Sequence, residues 1–165
     1  DSADFGVPQK RSRAFLVALL RDATNPIQWP AAKGGPRPTV AATIGDLMAE
    51  SGWKGVSAWM KQADFPAPTI VGGSLKHGGP DLGPTRARRE WAELGVDGLG
   101  LANAPPEPDF VGMPRLTTRM VARLQSFPDE WEFIGSKTQV YRQVGNALPV
   151  GLAAAMGRTI KQCLK

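Results

Sequence analysis

Apolar residues fall in separate blocks along this chain, and the blocks differ in period. Residues 13–20, Arg-Ala-Phe-Leu-Val-Ala-Leu-Leu, form an almost unbroken apolar run that follows Gly6-Val7-Pro8 and a cluster of cations. A short continuous run bounded by charge predicts a strand buried on both faces, of the kind found inside a larger sheet. Residues 22–40 carry Pro26, Pro30, Pro36 and Pro38 with Gly34-Gly35 and read as loop. Thr43 is placed to cap a short helix through Met48, with Ile44, Leu47 and Met48 on one face and Gly52 as its stop. A second short helix lies between Trp53 and Trp59, and residues 65–71 read as a turn feeding a short strand. Thr85 opens a helix with Ala87, Trp91 and Leu94 at i, i+4 and i+7 and Gly95 at its end. Thr117 or Thr118 starts another, carrying Val121, Leu124 and Gln125, with Pro128 just beyond it. The last helix begins near Pro149, a residue suited to a first turn, and its stripe is Ala153, Met156, Ile160 and Cys163-Leu164.

Composition adds two constraints. Gly (19) and Pro (15) make up about a fifth of the 165 residues, above the average near an eighth, so much of the backbone is irregular. Twenty Lys and Arg against fifteen Asp and Glu leave a net charge of +5. A basic, loop-rich chain suggests a polyanionic partner, although a basic surface with no such partner fits the charge equally well. One cysteine, Cys163, excludes an internal disulfide and a Cys-rich zinc site, and one histidine, His77, leaves little for any metal. The cysteine count points to a reducing, intracellular setting. No apolar run approaches the roughly 18 residues of a membrane span, so no membrane partner is expected.

Three clusters could carry chemistry. Lys10, Arg11 and Arg13 enter the apolar run together. On a strand Arg11 and Arg13 would share a face and could clamp a phosphate or a planar acceptor, or simply mark a solvated strand entrance. The glycine-rich residues 72–84 lead into Thr85-Arg86-Ala87-Arg88-Arg89. Cations in a first helical turn oppose the macrodipole by roughly 0.3–1 kcal/mol each, and a phosphate at the free N–H groups would relieve this. With Lys76 and His77 on the preceding loop, Arg86, Arg88 and Arg89 make a candidate DNA-binding surface; the alternative is arginines that only face water. Third, Gly145-Asn146 precedes the last helix and suits either a small polar ligand or simple capping. Cys163 lies on an apolar stripe and reads as packing, and no Walker loop, Gly-x-Gly-x-x-Gly segment or Ser-His triad is present.

Taken in order, these segments resemble the C-terminal portion of a DNA (cytosine-5) methyltransferase. Gly6-Val7-Pro8-Gln9-Lys10-Arg11-Ser12-Arg13 resembles the family's block eight. Arg115-Leu116-Thr117-Thr118-Arg119, running on through Arg123-Leu124-Gln125-Ser126-Phe127-Pro128, resembles block nine. Tyr141-Arg142-Gln143-Val144-Gly145-Asn146-Ala147-Leu148-Pro149 resembles block ten. Lys10 stands where arginine is common, Met120 where glutamate is common, and a single Pro149 where two or three prolines are frequent.

The resemblance implies an α+β architecture. A small, irregular, loop-rich target-recognition domain (22–140, including block nine) would be flanked by a strand (1–21) and a C-terminal helix (141–165) of a Rossmann-like α/β catalytic domain. It implies Arg13 as the arginine facing a flipped cytosine, with Arg11 a weaker and structural companion. Asn146, Ala147 and Leu148 would help close the pocket for S-adenosylmethionine, which is bound mainly by an absent N-terminal part. Thr69, matched to the family's Thr-Leu pair, would lie near a DNA phosphate, and the block-nine arginines would be structural. The family's cofactor block, Pro-Cys nucleophile loop and Glu-Asn-Val block would all precede Asp1. The chain is therefore expected to be a piece, either truncated or one subunit of a split enzyme, that is inactive alone and needs double-stranded DNA and a complementary N-terminal catalytic half or subunit, in a bacterial, cytoplasmic, nucleoid-associated setting. A stand-alone DNA-binding module, a swapped homodimer and a decayed remnant are the other readings.

Overall fold

The structure is a computed structural model that describes residues 1–20, 25–72 and 81–164. A 3-10 turn, Ser2–Phe5, opens the chain, capped by the Asp1 carboxylate, which accepts from the Ala3 N–H. Among the described residues six helices follow: α1 (Val40–Ala49), α2 (Val56–Gln62), α3 (Thr85–Glu93), α4 (Thr118–Leu124), α5 (Lys137–Asn146) and α6 (Val150–Cys163). α1 packs on α2 and α4, α4 packs on α5, and α6 packs on the N-terminal turn.

The helices form where side-chain caps and apolar spacing agree. Thr39, not Thr43, caps α1, its hydroxyl accepting from the Ala42 N–H. Thr43 instead donates to the Thr39 carbonyl from inside the helix. α1 buries Val40, Ala41, Ile44, Leu47 and Met48. Each of the larger side chains contributes about 1.5–3 kcal/mol on burial. Trp53, Trp59, Trp91, Leu116, Met120 and Tyr141 complete the same core. In α3, Trp91 is fully buried and Gly95 takes φ +69, a left-handed stop that a side chain would strain. Pro84 rather than Thr85 occupies its N-cap position, and it supplies no side-chain bond. α6 turns Leu152, Ala155, Met156, Thr159 and Cys163 inward, one position round from the expected stripe, and Leu164 is exposed. α5 is a helix to which the sequence reading assigned no element. Ser136 and Gln139 form a reciprocal capping box at its start, a signal present in the sequence.

The expected α+β architecture is overturned. Among the described residues there is no strand and no sheet, and the described architecture is helical rather than Rossmann-like. The one β-type contact is an isolated parallel bridge between Gln9 and Ala67, so neither 13–20 nor 65–71 is a strand. A strand exists only if another strand completes its ladder of hydrogen bonds. An apolar run signals a wish for burial and does not supply the partner. Here Leu16 is 98% and Leu20 81% exposed.

Candidate nucleic-acid interface

A buried polar hub joins four stretches of sequence, at residues 9–11, 70, 125 and 144–150. Gln9 and Gln125 are both fully buried. The Gln9 side chain accepts from the Ile70 N–H (2.8 Å) and donates to Gln125 Oε1 (3.0 Å). Gln125 in turn donates to the Val144 carbonyl (2.9 Å), and its own carbonyl accepts from the Val150 N–H at the start of α6 (3.3 Å). Buried amides placed this way are satisfied, which is the condition for tolerating them in a core.

Arg11 extends the hub. It is 3% exposed and donates to the carbonyls of Ile70, Gly145 (2.6 Å) and Ala147 (3.3 Å). A cation at the C-terminal end of α5 also complements the helix dipole. Burial, with a smaller contribution from nearby Arg13, lowers its pKa to about 10, so it stays charged at neutral pH. Tyr141, on α5, has its phenol pKa raised chiefly by burial. Its hydroxyl and Arg11 Nε are buried without hydrogen-bond partners among the described residues.

Two glycines let the segments close. A Cβ on Gly145 would lie 2.5 Å from Gly72 Cα and 2.6 Å from Gly72 N. A Cβ on Gly72 would in turn strike the Asn146 carboxamide. Backbone therefore rests directly on backbone where residues 71–72 pass the end of α5.

The remaining candidate residues surround this hub. Arg13 is exposed, and among the described residues its guanidinium donates to the Ser12 carbonyl (2.7 Å), whereas Arg11 is buried, so the two do not share a face. The two part because no strand alternation governs them. Thr69 donates inward to the Lys10 carbonyl (2.7 Å). Val71 and Ala87 close on Gly83, where an added Cβ would lie 3.1 and 3.2 Å from them. That contact sets the start of α3 beside residues 69–72. Its first turn contains no acidic residue. Arg86 pairs with Glu90 (3.2 Å), Arg88 reaches Thr85 Oγ1 (3.4 Å), and Arg89 is exposed. Lys76 and His77 lie outside the described residues. Asn146 and Leu148 are exposed, and Asn146 borders an open cleft of about 470 Å³ with Arg142 and Gln143.

The block-nine arginines are engaged in the fold. Arg123 bridges Asp46 (2.6 Å) and Asp129, and Arg119 bridges Glu50 (3.3 Å) and Asp129 (3.1 Å). The hydrogen bond from Arg123 chiefly holds the Asp129 carboxyl down to about 2. Met120 takes the capping-box role in α4, its sulfur accepting from the Thr117 N–H (3.4 Å). Cys163 is buried and its thiol faces the Thr159 carbonyl (3.4 Å). Sequence reasoning missed Gln9 and Gln125 as hub residues. The signal was Gln125 at i+4 from Val121, a polar residue on an apolar stripe.

The sequence of this chain matches known proteins. The sequence model described as C-5 cytosine-specific DNA methylase matches residues 1–70 and 86–162, and the chain belongs to that family. It is 54% identical over 166 residues to "Type II methyltransferase M.NaeI" of Lentzea aerocolonigenes, covering 99% of this chain and 40% of that protein. It is 41% identical over 169 residues to "Type II methyltransferase M.NgoMIV" of Neisseria gonorrhoeae, covering 99% of this chain and 53% of the relative. The chain thus spans about half or less of these relatives' length.

Proposed function

We propose that this chain is the DNA-recognition and site-closing portion of a cytosine-5 DNA methyltransferase, unable to transfer methyl groups by itself. The observation that carries this is the convergence of blocks eight, nine and ten on one hub in a family member whose single cysteine is buried in α6. An attacking thiolate must then come from polypeptide outside these 165 residues. The roles divide at about residues 21 and 140, with 22–140 for recognition and both ends joining the catalytic body. The second boundary falls inside α5, so the division is one of role rather than of chain geometry.

Exposed Arg13 faces a cytosine flipped from the duplex, orients the ring and stabilises charge as the thiolate adds. Arg11 holds the segments that present it. Arg86, Arg88 and Arg89, with Lys76, His77 and Thr69, contact DNA phosphates or base edges at the electropositive start of α3. S-adenosylmethionine supplies the methyl group when bound. Asn146, Ala147 and Leu148 would form one wall of its site: Asn146 offers a carboxamide to an open cleft with no carboxylate among its described lining residues, and Leu148 offers an exposed isobutyl two residues on. The setting is the bacterial cytoplasm, with duplex DNA as the partner.

Fluorescence anisotropy with a duplex carrying the target site tests the DNA reading. Binding should weaken with salt, log K falling by about 0.9 per phosphate contacted. Replacing Arg86, Arg88 and Arg89 together with Gln should flatten that slope by about two to three. A chain that ignores duplex at low salt, or whose slope is unmoved by the triple change, contradicts the proposal.

A further inference from the structure

The Gln9–Gln125 pair is more than core filling, because of where its hydrogen bonds end. All four side-chain amide atoms are used in one direction: Ile70 N–H to Gln9, Gln9 to Gln125, Gln125 to the Val144 carbonyl. Gln9 also approaches the Leu124 carbonyl (3.5 Å). One end of this relay fixes Ile70. The next residue, Val71, lies against Gly83, as does Ala87 from the start of α3, where three arginines cluster. The other end fixes Val144, one residue before the glycine on which Gly72 rests. Two surfaces far apart in sequence are therefore held at one spacing by an amide pair that reaches neither.

We propose that Gln9 and Gln125 are positioning residues for duplex binding: their relay holds residues 70–71, and through them the α3 arginines, against the end of α4 and α5, so DNA affinity depends on a pair that touches no DNA. The inference rests on the DNA-binding reading above. A packing role alone predicts lost stability; a positioning role also predicts lost affinity in a chain that is still folded. Because both side chains act in one relay, the second substitution should add little to the first.

The test measures duplex affinity and its salt slope for the wild type, Gln9→Met, Gln125→Met and the double variant, below each melting transition. Met48→Ala, which opens a cavity in the α1 core away from the relay, serves as a control of comparable lost stability. Each glutamine variant should bind about tenfold more weakly, with the double variant no worse than the weaker single. The salt slope should fall by about one. Met48→Ala should keep both affinity and slope. Wild-type hydrogen exchange gives a reading that needs no variant: added duplex should slow exchange at the Ile70 and Val150 amides. If the wild type does not bind duplex, the functional reading fails and this inference fails with it. If it binds, and folded glutamine variants bind equally well, the inference alone is overturned. Equal weakening in Met48→Ala also overturns it. Should the glutamine variants not fold, unchanged exchange at Ile70 and Val150 overturns it instead.

Discussion

Arg11 and Arg13 are two residues apart, carry the same side chain, and should fail in different ways. Arg11→Met removes the donor shared by three carbonyls, those of Ile70, Gly145 and Ala147. A buried acceptor left unsatisfied costs about 1–3 kcal/mol. Three acceptors lose their donor at once, and relief from burying a guanidinium offsets part of the cost. We therefore expect a loss of about 3 kcal/mol, a large fraction of the roughly 5–15 kcal/mol that holds a domain folded. Arg11→Lys keeps the charge at the end of α5 but cannot span three acceptors, so it should fall between. Arg13→Ala removes an exposed side chain and should change stability by less than about 0.5 kcal/mol. In an assembly with the catalytic polypeptide, however, it should lower turnover by about 10²–10³, the usual cost of losing a preorganised charge donor. Urea unfolding followed by circular dichroism gives the stabilities. A loss under about 1 kcal/mol for Arg11→Met, or a large one for Arg13→Ala, refutes the division.

Other perturbations follow from the same geometry. Gly145→Ala places a methyl against the backbone of Gly72, which cannot turn aside as a side chain can, so unfolding should show a loss of at least about 2 kcal/mol. An unchanged transition would mean that the two segments do not meet. The Asp129 carboxyl is held at about 2 in the folded chain against an ordinary 3.8. Its stabilisation is complete above the ordinary value and is lost as pH falls from about 4 to about 2. The melting temperature should therefore drop less steeply over that window in Asp129→Asn, and high salt should blunt the wild-type drop because the pairs are largely exposed. Parallel curves for the two proteins would contradict the ion-pair account.

Local chemistry made much of this molecule legible. The α3 stripe of Trp91 and Leu94 with its glycine stop, the Thr117 cap and the start of α6 all follow from signals a few residues long. α5 was hidden because its polar face and Gly145 resemble loop, although Ser136 and Gln139 spell out a capping box. The reading of residues 13–20 as strand failed for a different reason: periodicity reports burial preference, while a strand needs a partner that no local pattern contains. The site divided likewise. Clustered arginines and the Gly-Asn turn can be read from sequence. The separation of Arg11 from Arg13, and the meeting of Gln9 with Gln125 across 116 residues, depend on tertiary contact.

The central claim of the proposal is that these residues complete a methyltransferase whose nucleophile lies outside residues 1–165. The most direct measurement is methyl transfer from labelled S-adenosylmethionine to duplex DNA. It should be made with this chain, with a polypeptide carrying the family's cofactor block and Pro-Cys loop, and with the two mixed. The account predicts no transfer by either alone and transfer to cytosine C5 by the mixture. Transfer by this chain alone, or a mixture that assembles and binds duplex yet transfers nothing, would contradict it.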